Sequence, residues 1–440
     1  MAIGVLEKKR QSREQILAAM RDLKSGDADW RHGKTWSLVY FAGEDVSSLV
    51  AEAYTMFMAE NGLSPMAFPS LRRFEAEVCS IAAELFHGDK IGAVGTMTSG
   101  GTESLLMAVK TARDFAKATR GITEPEMVLP LSAHPALDKA AHYFGVKAVH
   151  APLGKDFRVD VAEMEKLINP RTVMLVGSAP SYPQGVIDPI AEIAALAERR
   201  GLLCHVDACL GGFLLPFARK LNPELPAFDF ELPGVTSISA DLHKYGFAAK
   251  GASLILYRSR ELRQYQFFVR GGWPGGLYAS PSMAGTRPGG AIAAAWAVLK
   301  YMGEEGYLES ARRILATSQA LLEGVRSIPG LKVFGDPRLS VFAFGSDEID
   351  VYALGDAMDA RGWKLDRQQL PPSLHLMVTP AHEQVVAPFL RDLREATASL
   401  ARGEPAPEGS AAMYGMAASM TNHEDLERFL LGFLDGVIDL

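Results

Sequence analysis

The chain has 440 residues, 48% of them hydrophobic, and a formal net charge of -7. That is enough apolar material for a large buried core, and the acidic balance speaks against nucleic acid or an anionic membrane as the main partner. Cys79, Cys204 and Cys209 show no metal-ligand spacing, so no metal and a reduced, cytoplasmic setting are expected; no apolar run approaches the ~20 residues of a membrane span and no signal-peptide core opens the chain.

Residues 5–24 read as a helix, with Ile16, Met20 and Leu23 on one face and Gly26 as its stop. A loop covers 30–40, and 47–61 reads as a second helix ended at Gly62. Pro65 and Pro69 keep 63–69 from being helical throughout, and 74–86 is amphipathic. From Gly95 onward short apolar runs (127–131, 148–150, 172–177, 202–206) alternate with helical stretches (105–118, 136–145, 161–168, 188–200). That alternation predicts a mostly parallel sheet covered on both faces, with ligands at the carboxyl ends of its strands. A strand signal at 237–240 leads into a polar turn, and another follows at 252–257. Beyond Pro288-Gly289-Gly290 the pattern changes to long helices at 291–302 and 308–328. Strands at 331–334, 340–344 and 374–378 follow, with helices at 351–361 and 384–400. Residues 402–412 are linker-like, and 425–437 is a closing helix. The division expected is an N-terminal helical segment (1–70), a large α/β domain (71–288) and a small α+β domain (289–440).

Four features sit after predicted strands. Ser99-Gly100-Gly101-Thr102 opens a helix, where glycines let the backbone approach an anion and the helix start offers free N–H groups. His134 is a flat imidazole able to stack on an aromatic group. Asp207 ends an apolar strand, where a carboxylate is costly unless paired. Lys244 lies in the turn Asp241-Leu242-His243-Lys244 and could form a Schiff base with an aldehyde. Taken singly, each has a plain structural explanation: a turn, a satisfied edge histidine, a helix cap, a solvated lysine. Together they match a pyridoxal-phosphate site, in which a carboxylate keeps the pyridine ring protonated and electron-poor. The fold class expected is therefore α/β, type I, like aspartate aminotransferase.

The chain resembles the sphingosine-1-phosphate lyases, in the group II decarboxylase-like branch of that fold. The likeness is carried by Thr98-Ser99-Gly100-Gly101-Thr102-Glu103-Ser104, His205-Val206-Asp207-Ala208-Cys209, Ser239-Ala240-Asp241 with His243-Lys244-Tyr245-Gly246, Tyr278-Ala279-Ser280-Pro281 and Gly285-Thr286-Arg287-Pro288. It implies pyridoxal 5'-phosphate bound through Lys244, Asp207 on the ring nitrogen and His134 on the ring face. Gly100, Gly101 and Thr102 are implied at the cofactor phosphate, with His243 nearby, and Ser99 and Ser239 among the other cofactor-binding residues. Gly285 and Thr286 would come from the neighbouring subunit of a homodimer. Tyr40 would stand by the reacting bond and Tyr182 at another active-site position; Tyr40, Tyr182 or a phosphate oxygen would take the 3-hydroxyl proton. Asn61, Ser64 and Lys250 would meet the substrate phosphate. The reaction implied is cleavage of the C2–C3 bond of a phosphorylated sphingoid base to a fatty aldehyde and phosphoethanolamine. An amino-acid decarboxylase, or an inactive regulator on the same fold, are the alternatives. The family pattern Asn-x-Leu-His-Pro is here Asn61-Gly62-Leu63-Ser64-Pro65, and Met66 stands where an aspartate is usual.

Overall fold

A computed structural model describes residues 9–64, 66–420 and 422–438. Seven strands build the main sheet: β1 (Val94–Thr98), β2 (Glu126–Pro130), β3 (Lys147–Ala151), β4 (Thr172–Ser178), β5 (Leu203–Asp207), β6 (Ser237–Ala240) and β7 (Ser253–Tyr257). Their spatial order is β1-β7-β6-β5-β4-β2-β3. The run from β3 to β6 is parallel, whereas β7 is antiparallel to both β6 and β1. β1 therefore points the same way as β6, and the segments leaving β1, β2, β4, β5 and β6 emerge along one edge. Every position of β2, β4, β6 and β7 is buried. Strands covered on both faces have no solvent side, so their sequence lacks polar alternation. The crossover helices bury apolar stripes on the sheet, and Ile190–Arg200 closes at Gly201 in the left-handed region (φ 62°).

An exposed hairpin, β8 (Phe268–Trp273) with β9 (Gly276–Ser280), follows the sheet. A second sheet holds β10 (Lys332–Val333), β11 (Val341–Gly345), β12 (Asp366–Gln369) and β13 (Pro372–Met377), in the antiparallel order β10-β11-β13-β12. Its core contains Phe342, Phe344, Trp363 and Phe389, together with Trp36 from the N-terminal segment. Trp36 is fully buried there and stacks on His382 at 4.2 Å, so the N-terminal segment is built into the small-sheet core. The helical stretches at 291–302 and 308–328 are two arms of Gly289–Arg326, which kinks at Gly303 (φ 51°).

Several boundaries differ from expectation. The first helix runs Arg13–Lys24 and buries none of its residues; residues 5–8 of the expected helix lie outside the described residues. The second is Glu44–Met56 rather than 47–61. Residues 57–60 leave it without helical structure, and Asn61 then forms a bridge with Pro288. The linker-like stretch 402–412 gives way at its end to the helix Ala411–Ser419, anchored where Asp356 accepts from the Ser410 and Ala411 N–H groups. No described helix is long and apolar enough to cross a membrane.

Candidate active site

The five segments at the common edge enclose a cavity of about 510 Å³, a size suited to a cofactor. Ser99, Gly100, Gly101 and Thr102 follow β1, and His134 follows β2. Ser178 and Tyr182 stand at and after the end of β4, Asp207 ends β5, and His243 and Lys244 follow β6; all line the cavity, with Tyr40 and Lys250. A cavity of about 550 Å³ elsewhere, among Ile81, Phe217, Leu299 and Tyr307, contains none of these groups.

On the cavity floor Asp207 Oδ1 accepts from the Cys209 N–H (3.0 Å) and the Ser239 hydroxyl (3.3 Å). Ser239 is fully buried and also contacts His205 Nε2 at 3.3 Å, so it acts on the carboxylate from behind. Burial pushes His205 down to about 4, which keeps it neutral. Lys244 Nζ lies 3.0 Å from Asp241 Oδ2. Burial disfavours the Lys244 ammonium, but the carboxylates of Asp241 and, farther off, Asp207 outweigh it and raise its pKa. Asp241 Oδ1 is buried without a hydrogen-bond partner.

His134 Nδ1 accepts the Ala136 N–H at 3.1 Å, which fixes the ring's orientation and leaves Nε2 to carry the proton of the neutral form. His243 Nδ1 accepts from the Ala252 N–H (3.3 Å), and its Nε2 is 3.6 Å from Asp241. Ser99 has both its N–H and its hydroxyl on Glu103 Oε2, at 2.7 and 2.6 Å. It reaches the cavity edge with those donors engaged. At the mouth, Lys250 Nζ donates to the Leu38 carbonyl at 2.6 Å and stands 5.1 Å from the Tyr40 ring centre. Burial, then the Lys244 charge, lowers its pKa.

Four expected residues stand apart from this cavity within the chain. Asn61 and Ser64 line a separate cavity of about 150 Å³ with Arg287, whose charge is taken up by a two-pronged pair with Glu75. Gly285 and Thr286 follow the β8–β9 hairpin, and Thr286 is exposed.

Against known proteins, the pyridoxal-dependent decarboxylase conserved domain matches residues 5–345. A sphingosine-1-phosphate lyase of Arabidopsis thaliana is 46% identical over 429 residues, covering 96% of this chain and 79% of that protein. The chain belongs to the sphingosine-1-phosphate lyase family. Sphingosine-1-phosphate lyase 1 of Mus musculus is 45% identical over 425 residues, 96% of this chain and 74% of that protein. A solved sphingosine-1-phosphate lyase from Burkholderia pseudomallei superposes with a TM-score of 0.88 at 40% identity, covering 91% and 94% of the two chains. Glutamate decarboxylase from Lactobacillus brevis shares the fold at a TM-score of 0.80 and 20% identity, covering 91% and 96%.

The family depends on pyridoxal phosphate, and the residues present suit that group. A Cβ on Gly101 would meet Asp241 Oδ2 at 2.8 Å, so the turn runs as bare backbone against that side chain. The helix Gly101–Arg120 starts there, and its first N–H groups lack intrahelical acceptors. The lysine and the strand-end carboxylate face the same space. Sequence reasoning quoted Asp241 within a motif and gave it no role. It missed Asp366 and His375 altogether, because they come from β12 and β13 and reach Tyr182 only through the fold.

Proposed function

We propose that the chain is a pyridoxal-phosphate-dependent lyase that cleaves the C2–C3 bond of a phosphorylated sphingoid base, yielding a fatty aldehyde and phosphoethanolamine. The observation that carries this reading is one cavity lined together by Lys244, Asp207, His134, Tyr40, Tyr182 and Lys250, in a chain of this family. Bound pyridoxal phosphate supplies an aldehyde for Lys244 and a sink for the electron pair of the broken bond. Asp207, pinned by Cys209 and Ser239, holds a proton at the ring nitrogen. His134 covers one ring face. The backbone of Gly100, Gly101 and Thr102 binds the cofactor phosphate, with Ser99 shaping the turn and His243 beside it. Lys250 offers the cation for the substrate phosphate, and the phenols of Tyr40 and Tyr182 serve the 3-hydroxyl.

The enzyme acts as a homodimer in this reading. The hairpin preceding Gly285 and Thr286 exposes Phe268, Val269, Trp273 and Leu277, an apolar surface fit for a second copy. A partner's hairpin would bring its Thr286 to the cofactor phosphate, and Asn61 and Ser64 would reach the substrate phosphate once the subunits join. The three buried free cysteines suit a cytoplasmic setting.

The test is purified protein loaded with pyridoxal phosphate and given a phosphorylated long-chain base, beside Lys244→Ala. Aldehyde from the parent alone supports the reading. Carbon dioxide from an amino acid in place of aldehyde would make the protein a decarboxylase, and equal turnover by both proteins would remove Lys244 from the chemistry.

A further inference from the structure

The two tyrosines that line the cavity are held very differently. Tyr182 donates its hydroxyl proton to Asp366 Oδ2 at 2.9 Å. The other oxygen of Asp366 accepts from Ser37 at 2.9 Å. His375, fully buried, stacks on the Tyr182 ring (4.4 Å between centres) and its Nε2 lies 2.9 Å from the Tyr182 carbonyl. A carbonyl only accepts, so Nε2 bears the proton. Nδ1 of the neutral ring is then an acceptor; it is buried without a hydrogen-bond partner, 3.9 Å from Asp366 Oδ2. The ring and backbone of Tyr182 are thus held by His375 of β13, and its hydroxyl by Asp366 of β12. With its own proton on a carboxylate, the Tyr182 oxygen has only acceptor capacity left for the cavity it lines. Tyr40, by contrast, points its hydroxyl at Met377 Sδ (3.1 Å), a weak acceptor that holds the proton loosely.

We propose that Tyr182 is the group that accepts the proton of the substrate 3-hydroxyl, that Asp366 is the positioning residue that makes it so, and that Tyr40 is the donor-side phenol. This rests on the lyase reading and deepens it. In the step, the O3–H bond breaks and a new O–H bond forms on Tyr182 Oη. In the same motion Tyr182's original proton passes to Asp366 Oδ2. One negative charge moves from the carboxylate to O3, and no other reactant is needed. The relay avoids a free tyrosinate, which burial and the adjacent Asp366 charge both disfavour.

The test uses holoenzyme with Asp366→Asn, Tyr182→Phe, the double variant and Ser37→Ala. Whichever way its amide faces, the Asn side chain cannot take up the relayed proton, and it keeps nearly the same shape. Each of the first two variants is expected to lose about 100-fold in kcat, the lower end for general base catalysis, with KM within about twofold. The double variant should be no worse than either single one, because the pair acts as a unit. Cofactor absorbance, cofactor affinity and binding of a 3-deoxy substrate analogue should stay at parental values in all. Ser37→Ala leaves the Tyr182 bond in place and should keep kcat within about threefold. Less than threefold loss in Asp366→Asn, additive losses in the double variant, or a Ser37→Ala loss as large as that of Asp366→Asn would each overturn the proposal. Should Asp366→Asn fail to fold, full activity in Tyr182→Phe would do the same. A parent that releases no aldehyde would instead remove the lyase reading, so the two failures are distinguishable.

Discussion

At Gly101 the backbone passes so close to its surroundings that a Cβ would meet Asp241 Oδ2 at 2.8 Å and Cys209 Sγ at 2.9 Å. Asp241 cannot swing aside freely, since it is buried and paired with Lys244. Gly100, one residue earlier, has only His243 Cε1 in reach, at 3.5 Å, and an extended φ of 166° that any residue adopts. Gly101→Ala should therefore destabilise cofactor-free protein. Overpacking costs ~1–3 kcal/mol, against at most about 1 kcal/mol returned by helix propensity. Gly100→Ala should unfold at nearly the parental temperature. Thermal scans of the two apoproteins check this, and an equal drop in both would count against a specific clash at Gly101. The glycines, His134, Asp207 and Lys244 were legible in the sequence because each follows a strand, so strand order alone brings them to one edge. Asp366 was not legible. Nothing local distinguishes it from a surface aspartate, and its meaning comes from Tyr182, 184 positions earlier.

The hairpin β8–β9 shows the same limit for whole elements. Six consecutive positions of β8 are exposed, so there is no buried face to imprint a period of two, and the pattern reading passed over it. The strands of the main sheet and their crossover helices were readable within a few residues, because burial on both faces and glycine stops leave marks in composition. What ties the hairpin to the site is Glu103, near the start of the helix Gly101–Arg120. One carboxylate oxygen accepts from Ser99 twice, and the other from the Met283 N–H (2.9 Å) and, more weakly, the Ala284 N–H (3.4 Å). Glu103→Gln keeps one acceptor oxygen and turns the other into a donor facing donors, which costs about 1–3 kcal/mol for the groups left unpaired. Amide exchange at Met283 and Ala284 is expected to speed up by roughly tenfold or more, while exchange in β4 and β5 stays slow. Unchanged exchange at Met283 would show that the hairpin base is held by other contacts. Lys110, which donates to the carbonyls of Tyr265, Gln266 and Phe267, would then be the one to test.

Across the molecule, two buried histidines set the response to acid. Burial pushes both His205, in the main sheet, and His382, under the small sheet, down to about 4, whereas the unfolded chain takes up the proton near 6.5. Between those values the unfolded state binds more protons, so the stability present above about pH 6.5 is lost as pH falls toward 4. Asp188 works in the opposite sense: burial raises it to about 6, so the folded state holds a proton there that the unfolded carboxyl has released. Two histidines, each displaced by more than Asp188 is, outweigh it. The net loss from pH 7.5 to pH 5 should be on the order of 2–3 kcal/mol, read as a lower urea midpoint. His382 accepts the Thr379 N–H on Nδ1 (2.9 Å), lies 3.0 Å from the Thr35 carbonyl through Nε2 and stacks on Trp36. Protonating Nδ1 turns a donor against a donor at the point where the N-terminal segment joins the small-sheet core. Acid should accordingly expose Trp36, seen as a red shift of its emission that Trp36→Phe abolishes. His382→Gln should remove about three-quarters of the pH dependence, because Asp188 then offsets most of what His205 alone contributes, and a midpoint that falls as steeply in His382→Gln as in the parent would place the acid sensitivity elsewhere.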